Sequence, residues 1–195
     1  MPYSDLFNRK PVLDFVSSKI NNKKKFRVLD LGAGLGLFGE LLRKKFKNNL
    51  WIDGVEVWKK YKNFLWKNYD KVYEENIEDF LLKNKKKYDL ILLIDVIEHF
   101  DKAKGFKIIN LIKKYGDSIL VSTPITYFPQ GEAFKNPYET HKSLWSKKEL
   151  EKEGFKLIKS KRVLQDLTKI FQFKNCPLSA ELGVFSYEKP KKAGP

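Results

Sequence analysis

The chain has 195 residues, of which 42% are hydrophobic and 14% aromatic, so it is neither a disordered nor a low-complexity protein. A single cysteine, Cys176, excludes an intramolecular disulfide and a zinc site built from cysteines. The longest apolar run, Leu90–Ile94, is too short to span a bilayer, and the first residues lack the apolar core of a signal peptide. The sequence therefore predicts a cytoplasmic protein that does not contact a membrane.

The net charge of +15 has two interpretations. A strongly basic surface attracts polyanions, which favours a nucleic-acid partner. Only four of the 39 basic residues are arginine, however, and the arginine fork is the group that binds two phosphate oxygens at once. An abundance of lysine and asparagine also follows from an AT-rich genome. Nucleic-acid binding and a compositional origin of the charge both stay open, and nothing in the sequence indicates an oligomeric state.

Strand-like and helix-like segments alternate along the first two thirds of the chain. An amphipathic start predicts a helix that lies over the sheet or over the acceptor site, with apolar side chains at Leu6, Phe7, Val12, Leu13, Phe15 and Val16. The predicted strands are Phe26–Leu31, Trp51–Val55, Lys71–Tyr73, Tyr88–Ile94 and Ser118–Ser122. The predicted helices are Leu37–Phe46, Lys59–Asn68, Glu78–Leu82 and Ala103–Lys113. Such alternation predicts right-handed crossovers and a parallel sheet that is covered on both faces.

The last third of the chain has a different pattern. Residues 123–144 form a long polar and aromatic loop, and loops of this length are usually functional. A capping box at Ser146–Glu149 then predicts a short helix, and Phe155–Val163 and Leu182–Tyr187 are predicted as two closing strands. The expected fold is α/β, a doubly wound Rossmann-like sheet of seven strands, mostly parallel with an antiparallel strand near the C-terminus. We expect a single domain at residues 1–188 and a flexible tail at 189–195.

The most informative segment is the turn after the first predicted strand, where glycines stand at positions 32, 34 and 36. Glycine allows positive φ and lets a ligand approach bare backbone, and the helix that follows presents unpaired N–H groups. Residues 34–39 also match the dinucleotide-binding string G-x-G-x-x-G. That motif begins directly after the strand, whereas the string here begins two residues later. Asp30, in the last turn of the strand, would repel a pyrophosphate and favours a positively charged ligand instead. Glu56 ends the next strand, where a carboxylate can bind both hydroxyls of a ribose.

The segment Val28–Gly36 resembles the first motif of class I S-adenosylmethionine-dependent methyltransferases. Residues 76–80, 88–100 and 121–124 are similar to later motifs of that family, in the same order and spacing. The resemblance implies that S-adenosylmethionine is the cofactor, with its methionine portion against Gly32, Ala33, Gly34 and Gly36 and close to Asp30. It further implies that Glu56 binds the ribose and that Asn76 and Ile77 bind the adenine. The family more often has Asp at position 76, but Asn also offers an accepting oxygen.

The candidate catalytic residues follow the fourth predicted strand and lie in the long loop. If the chain turns helically after Ile94, then Asp95, Glu98 and His99 share one face. His141 is the only other histidine in the sequence. These four residues resemble the metal site of small-RNA 3′-terminal 2′-O-methyltransferases, although the first ligand here is Asp instead of Glu. Oxygen and imidazole ligands would suit Mg²⁺ or Mn²⁺.

The predicted function is methyl transfer from S-adenosylmethionine to an oxygen or nitrogen of an unidentified acceptor, either a small molecule or RNA. One alternative is metal-assisted 2′-O-methylation of RNA. Another is a non-catalytic module that holds the cofactor and binds RNA through its lysines. A metal-free role for the histidines, as a base or in loop packing, also stays open.

Overall fold

A computed structural model of the chain describes residues 6–20, 25–165 and 172–190. Within these ranges, seven strands form one sheet in the order β3-β2-β1-β4-β5-β7-β6. The strands are β1 (Phe26–Leu31), β2 (Leu50–Val55), β3 (Lys71–Tyr73), β4 (Tyr88–Ile94), β5 (Gly116–Pro124), β6 (Lys156–Leu164) and β7 (Ser179–Glu188). β1 to β5 are parallel, and β7 is antiparallel to both β5 and β6. The predicted sheet, with its antiparallel strand near the C-terminus, is confirmed.

Helices cover both faces of the sheet, as an almost entirely apolar central strand requires. The helices are α1 (Leu6–Lys19), α2 (Leu37–Phe46), α3 (Ile77–Lys83), α4 (Lys102–Tyr115) and α5 (Lys147–Lys152). On one face, Val12 and Val16 of α1 pack with Leu42 of α2 in one apolar cluster. On the other face, α3, α4 and α5 contribute to a second cluster that includes the fully buried Trp145. The sheet therefore has an apolar core on each face. The ends of the strands are left uncovered, and ligands can bind there.

The prediction of a helix at Lys59–Asn68 is wrong. The segment forms two separate 3-10 turns, Lys59–Tyr61 and Phe64–Asn68, with Asn63 extended between them. The Asn63 side chain accepts from the backbone N–H of Leu65 at 2.8 Å and donates to the carbonyl oxygens of Leu35 and Tyr61 at 2.9 and 2.8 Å. Because asparagine can replace backbone hydrogen bonds in this way, it breaks a helix that the apolar spacing alone would allow.

The C-terminal predictions agree with the structure. Ser146 and Glu149 form the expected capping box of α5, with the Ser146 N–H donating to Glu149 Oε2 at 2.8 Å. Residues 191–195 of the predicted tail lie outside the described residues. No described helix is long and apolar enough to cross a membrane.

The strand order decides where a ligand can bind. β1 lies between β2 and β4, so the connections that leave β1 and β4 run to opposite sides. A crevice opens at the carboxyl ends of strands where the order reverses in this way, and open α/β sheets bind their ligands there. The turn after β1 and the residues after β4 both face this crevice.

Candidate active site

The glycine turn after β1 forms one wall of the crevice. Gly32, Gly34 and Gly36 all have positive φ, at 80°, 54° and 92°. The N–H groups of Gly32 and Ala33 both donate to the Val55 carbonyl oxygen, at 2.9 and 3.0 Å, which fixes the turn to the end of β2. A Cβ on Gly34 would meet no atom closer than the Gly32 carbonyl oxygen at 4.0 Å, so that position borders open space. The turn is therefore a cradle of bare backbone.

Glu56 follows β2 and lies beside this turn. Its carboxylate accepts from the N–H of Gly34 at 2.8 Å and from the N–H of Trp58 at 2.7 Å. Glu56 is buried, and burial raises the pKa of its carboxyl above the ordinary value of 4.5. Glu56, the acid predicted at the end of the second strand, thus connects the glycine turn to the segment after β2 by hydrogen bonds.

Asp30 lies behind the glycine turn, in the interior. It is 2% exposed, and its Oδ2 accepts from the Tyr69 hydroxyl at 2.6 Å. Burial raises the pKa of the Asp30 carboxyl from 3.8 to about 7, against the lowering effect of the Tyr69 hydrogen bond and with a further increase from Glu56. Asp30 does not line the cavity described below, so it would act on a ligand through its charge and through the turn.

The raised pKa of Asp30 predicts a pH dependence of stability. The folded chain holds this proton more tightly than the unfolded chain, so ionisation reduces the unfolding free energy as the pH rises from 3.8 to about 7. We expect Asp30→Asn to lose less stability than the wild type between pH 5 and pH 8, as measured by urea unfolding. The exposed Asp79→Asn variant is the control. Parallel curves for Asp30→Asn and the wild type would contradict the prediction.

Asn76 and Ile77 stand at the start of α3 and line the same cavity. The Asn76 side chain accepts from the Glu78 N–H at 2.9 Å, so it caps the helix. This bond uses the Asn76 side-chain oxygen, and the amide group of the same side chain carries two donors as well. The helix cap thus fixes the orientation of a residue that the resemblance assigns to adenine binding.

One cavity of about 640 Å³ connects these elements with the long loop. Its wall includes Gly32, Ala33 and Gly34 of the turn and Glu56, and on the other side Glu98 and both histidines. Gly36 does not line the cavity. The side chains of Trp66 and Leu65 cover it, because a Cβ on Gly36 would meet them at 3.1 and 3.2 Å. Cavities that enclose a small molecule or cofactor have volumes in this range.

Glu98, His99 and His141 come together at the far side of the cavity. Each offers one ligand atom, and these atoms lie within 4.8 Å of one another. Glu98 is 3% exposed, and its Oε2 receives no hydrogen bond from any described residue. Burial raises the pKa of the Glu98 carboxyl well above its ordinary value, and the neighbouring Asp95 raises it further. A buried carboxylate oxygen beside two imidazoles is a donor set that suits a divalent cation or an acceptor proton.

Backbone carbonyls orient both histidines. His99 Nδ1 lies 3.3 Å from the Thr140 carbonyl oxygen, and His141 Nδ1 lies 2.6 Å from that of Phe128. A carbonyl can only accept, so each Nδ1 carries the proton and each Nε2 carries the lone pair. Burial also lowers the pKa of His99, which favours the neutral imidazole. Both rings are thereby held with Nδ1 against a carbonyl oxygen, and the Asp95 backbone makes a further hydrogen bond to the His99 ring.

The structure corrects the grouping of Asp95 with these three residues. Asp95 has a φ of 54°, so the chain is not helical at this point, and the turn at Ile97–His99 begins after it. The Asp95 carboxylate accepts from the Asn8 side chain of α1 at 3.0 and 2.8 Å and from the Ser122 hydroxyl. It borders the cavity but lies outside the cluster of Glu98, His99 and His141. Its contacts make it an anchor for α1.

Sequence reasoning missed Tyr61, Asn136 and Glu139. The Tyr61 hydroxyl donates to Glu139 Oε1 at 2.7 Å, and the Asn136 side chain donates to the Tyr61 hydroxyl at 3.0 Å. Glu139 also affects His99, since its charge is the main factor that opposes the lowering of the His99 pKa. The contacts span 75 and 78 residues of sequence, so no local motif could reveal them.

A seven-stranded sheet of this order, with a glycine turn after β1 and an acid after β2, defines the class I methyltransferase fold. Residues 6–159 match a family model described as a methyltransferase domain. The chain belongs to this methyltransferase-domain family, whose methyl donor on this fold is S-adenosylmethionine. An uncharacterised protein of Methanocaldococcus jannaschii is 31% identical over 153 residues, which cover 77% of this chain. The match covers 64% of that relative, so the chain spans slightly less than two thirds of its length.

Solved structures share the fold at low sequence identity. The N-terminal domain of EvdMO1 with S-adenosylhomocysteine (SAH) bound is similar to this chain, with a TM-score of 0.68 and 12% identity. The similarity covers 96% of this chain and 83% of that chain. The methyltransferase domain of bacterial CtHen1 is similar with a TM-score of 0.55 and 22% identity, over 91% of this chain and 96% of that chain. Both similarities concern the arrangement of the strands and helices.

Proposed function

We propose that this chain transfers the methyl group of S-adenosylmethionine to an oxygen or nitrogen of an acceptor held beside His99 and His141. One observation carries the proposal: a single cavity joins the glycine turn and Glu56 at one side to Glu98 and the histidines at the other. A donor bound at the first side and an acceptor bound at the second would meet within it. Methyl transfer is a displacement in line at carbon, so this alignment is the main task of the protein.

The residues of the first side fit the donor. The bare backbone at Gly34 leaves room for a ligand where a Cβ would project into the open space. The Glu56 carboxylate is placed to accept from ribose hydroxyls. Asp30, once ionised, favours the positive sulfonium and ammonium groups of S-adenosylmethionine. Both acids, when ionised, would repel a pyrophosphate.

The residues of the second side fit proton removal. S-adenosylmethionine supplies a methyl group that is already activated, so the protein has to remove the acceptor's proton rather than activate the methyl carbon. Burial lowers the pKa of His99, which favours its neutral imidazole. A neutral imidazole at this position can take the acceptor proton during transfer. Lys142 and Ser143 donate to the Glu98 carbonyl oxygen at 2.8 and 3.1 Å and hold the loop against the histidines.

A second candidate is metal-assisted 2′-O-methylation of RNA. The cluster of Glu98, His99 and His141 favours it, together with the similarity of the fold to the CtHen1 methyltransferase domain. The three residues would hold Mg²⁺ or Mn²⁺ through a carboxylate oxygen and two Nε2 atoms. Such an ion lowers the pKa of a bound hydroxyl and fixes its position. The net charge of +15 is consistent with an RNA acceptor.

Incubation of the protein with methyl-labelled S-adenosylmethionine and separate RNA, protein and metabolite pools tests the main proposal. We expect label in one pool with the wild type and incorporation at a rate at least about 10²-fold lower with His99→Ala. Calorimetry adds a measurement that is independent of the acceptor: S-adenosylhomocysteine (SAH) should bind and a nicotinamide dinucleotide should not. SAH binding and salt-sensitive RNA binding without any transfer would favour the non-catalytic module.

Chelator treatment separates the two candidates. If a metal takes part, EDTA should abolish transfer and added Mn²⁺ or Mg²⁺ should restore it. Electron paramagnetic resonance should then show one bound Mn²⁺ per chain, lost in His99→Ala and in His141→Ala but kept in Lys148→Ala, whose side chain is exposed and does not line the cavity. Full activity in EDTA, with no bound Mn²⁺, would leave His99 as a metal-free base.

A further inference from the structure

Residues 136–143, here called the bridging loop, contact both halves of the cavity. The loop runs from the buried Asn136 to the half-buried Ser143, and it carries His141. The cavity wall includes Asn136, Glu139 and His141 from this loop. Whatever fixes the bridging loop therefore also fixes one of the two candidate catalytic histidines.

One end of the bridging loop is attached to the segment that follows Glu56. The Tyr61 hydroxyl donates to Glu139 Oε1 at 2.7 Å, and Asn136 Nδ2 donates to the same hydroxyl at 3.0 Å. The rings of Trp58 and Tyr138 lie 6.0 Å apart between centroids. Tyr61 is buried, and burial raises the pKa of its hydroxyl. The hydroxyl therefore stays protonated and donates to Glu139. Two hydrogen bonds and one aromatic contact thus connect elements that are about 75 residues apart in sequence.

The other end of the bridging loop is attached to Glu98 and His99. The N–H groups of Lys142 and Ser143 donate to the Glu98 carbonyl oxygen, at 2.8 and 3.1 Å. The Thr140 carbonyl oxygen lies 3.3 Å from His99 Nδ1 and sets its tautomer. A shift of the loop would therefore alter both histidines and the backbone of Glu98.

The Glu56 carboxylate connects the first attachment to the cofactor side. Its Oε1 accepts from the Trp58 N–H at 2.7 Å, while its Oε2 accepts from the Gly34 N–H at 2.8 Å. Val57 and Tyr61 also line the cavity. A ligand that contacts Glu56 and this wall restricts the motion of residues 56–61. The bridging loop then loses less conformational entropy when it docks on Tyr61.

We propose that Tyr61 is a positioning residue that couples cofactor binding at Glu56 to the placement of His141 through Glu139 and the bridging loop. The inference rests on the proposed function, because it takes Glu56 as a contact of the cofactor. Coupling of this kind is reciprocal, so an acceptor that orders the bridging loop strengthens cofactor binding by the same factor. The hydroxyl of Tyr61, and not its ring, carries the coupling.

Hydrogen–deuterium exchange with and without SAH tests the coupling and needs no acceptor. In the wild type, SAH should slow exchange of the amides of residues 139–143 by about fivefold, the factor that one hydrogen bond contributes. Tyr61→Phe keeps the ring and removes the donor, so most of this protection should disappear. Its SAH affinity by calorimetry should stay within about threefold of the wild type.

Two further variants separate coupling from a general loss of structure. Glu139→Gln keeps an oxygen that accepts from Tyr61 and should retain the protection, whereas Glu139→Ala should lose it. Tyr73→Phe removes a hydroxyl that accepts from Lys86 at 3.0 Å, away from the bridging loop, and should behave as the wild type. Protection that persists in Tyr61→Phe would overturn the inference and leave the proposed function intact. Absence of SAH binding to the wild type would instead overturn the proposed function.

Discussion

Replacing His99 by alanine is expected to slow methyl transfer by a factor of about 10² to 10⁴, the usual contribution of a group that moves a proton in the transition state. His99 is held by the Thr140 carbonyl, and its ring also hydrogen-bonds to the Asp95 backbone. The residues proposed to bind the cofactor lie on the other side of the cavity. The KM for S-adenosylmethionine and the affinity for SAH should therefore change by less than about threefold. Rates with labelled donor, and calorimetry with SAH, measure the two effects on the same samples.

The matched control for His99→Ala is Lys148→Ala, an exposed side chain of α5 that does not line the cavity. Lys148→Ala should retain transfer within a few-fold. If His99→Ala and His141→Ala both transferred methyl at the wild-type rate, neither histidine could be assigned to the chemistry.

Glu56→Ala is expected to weaken SAH binding by a factor of about 10² or more. Each hydrogen bond from a ribose hydroxyl to a charged carboxylate contributes about 1.5 to 3 kcal/mol, and the carboxylate can accept two. The variant also removes the part-buried bonds to the N–H groups of Gly34 and Trp58. Titration calorimetry with SAH measures the loss directly.

Glu56→Gln separates ribose binding from support of the turn. The amide oxygen can still accept from one N–H, while the charge that strengthens a hydroxyl hydrogen bond is lost. We expect SAH affinity between those of the wild type and Glu56→Ala, with a melting temperature close to the wild type. The partly buried Glu75→Gln, whose carboxylate is paired with the exposed Lys83, is the control and should bind SAH normally. Unchanged affinity in Glu56→Ala would remove Glu56 from the cofactor site.

Local sequence patterns predicted the sheet because each pattern reports a local physical requirement. Continuous apolar residues at Leu90–Ile94 indicate a strand buried on both faces, and the structure places β4 at the centre of the sheet. The spacing of glycines 32, 34 and 36 predicted a turn, and all three have positive φ. The same kind of reasoning failed at Lys59–Asn68, because apolar periodicity does not register the side-chain hydrogen bonds that Asn63 makes to backbone groups.

The sequence by itself determined the class of fold and the cofactor type, and it singled out Glu56, Glu98 and the two histidines at the cavity, but not Glu139. Only the tertiary structure decided which of them meet. Asp95 and Glu98 are three residues apart, yet positive φ at Asp95 directs its carboxylate to Asn8 and Ser122. Tyr61 and Glu139 are 78 residues apart and share a hydrogen bond. Contacts of this kind form when a loop packs against a segment that is distant in sequence. No local sequence pattern therefore predicts them.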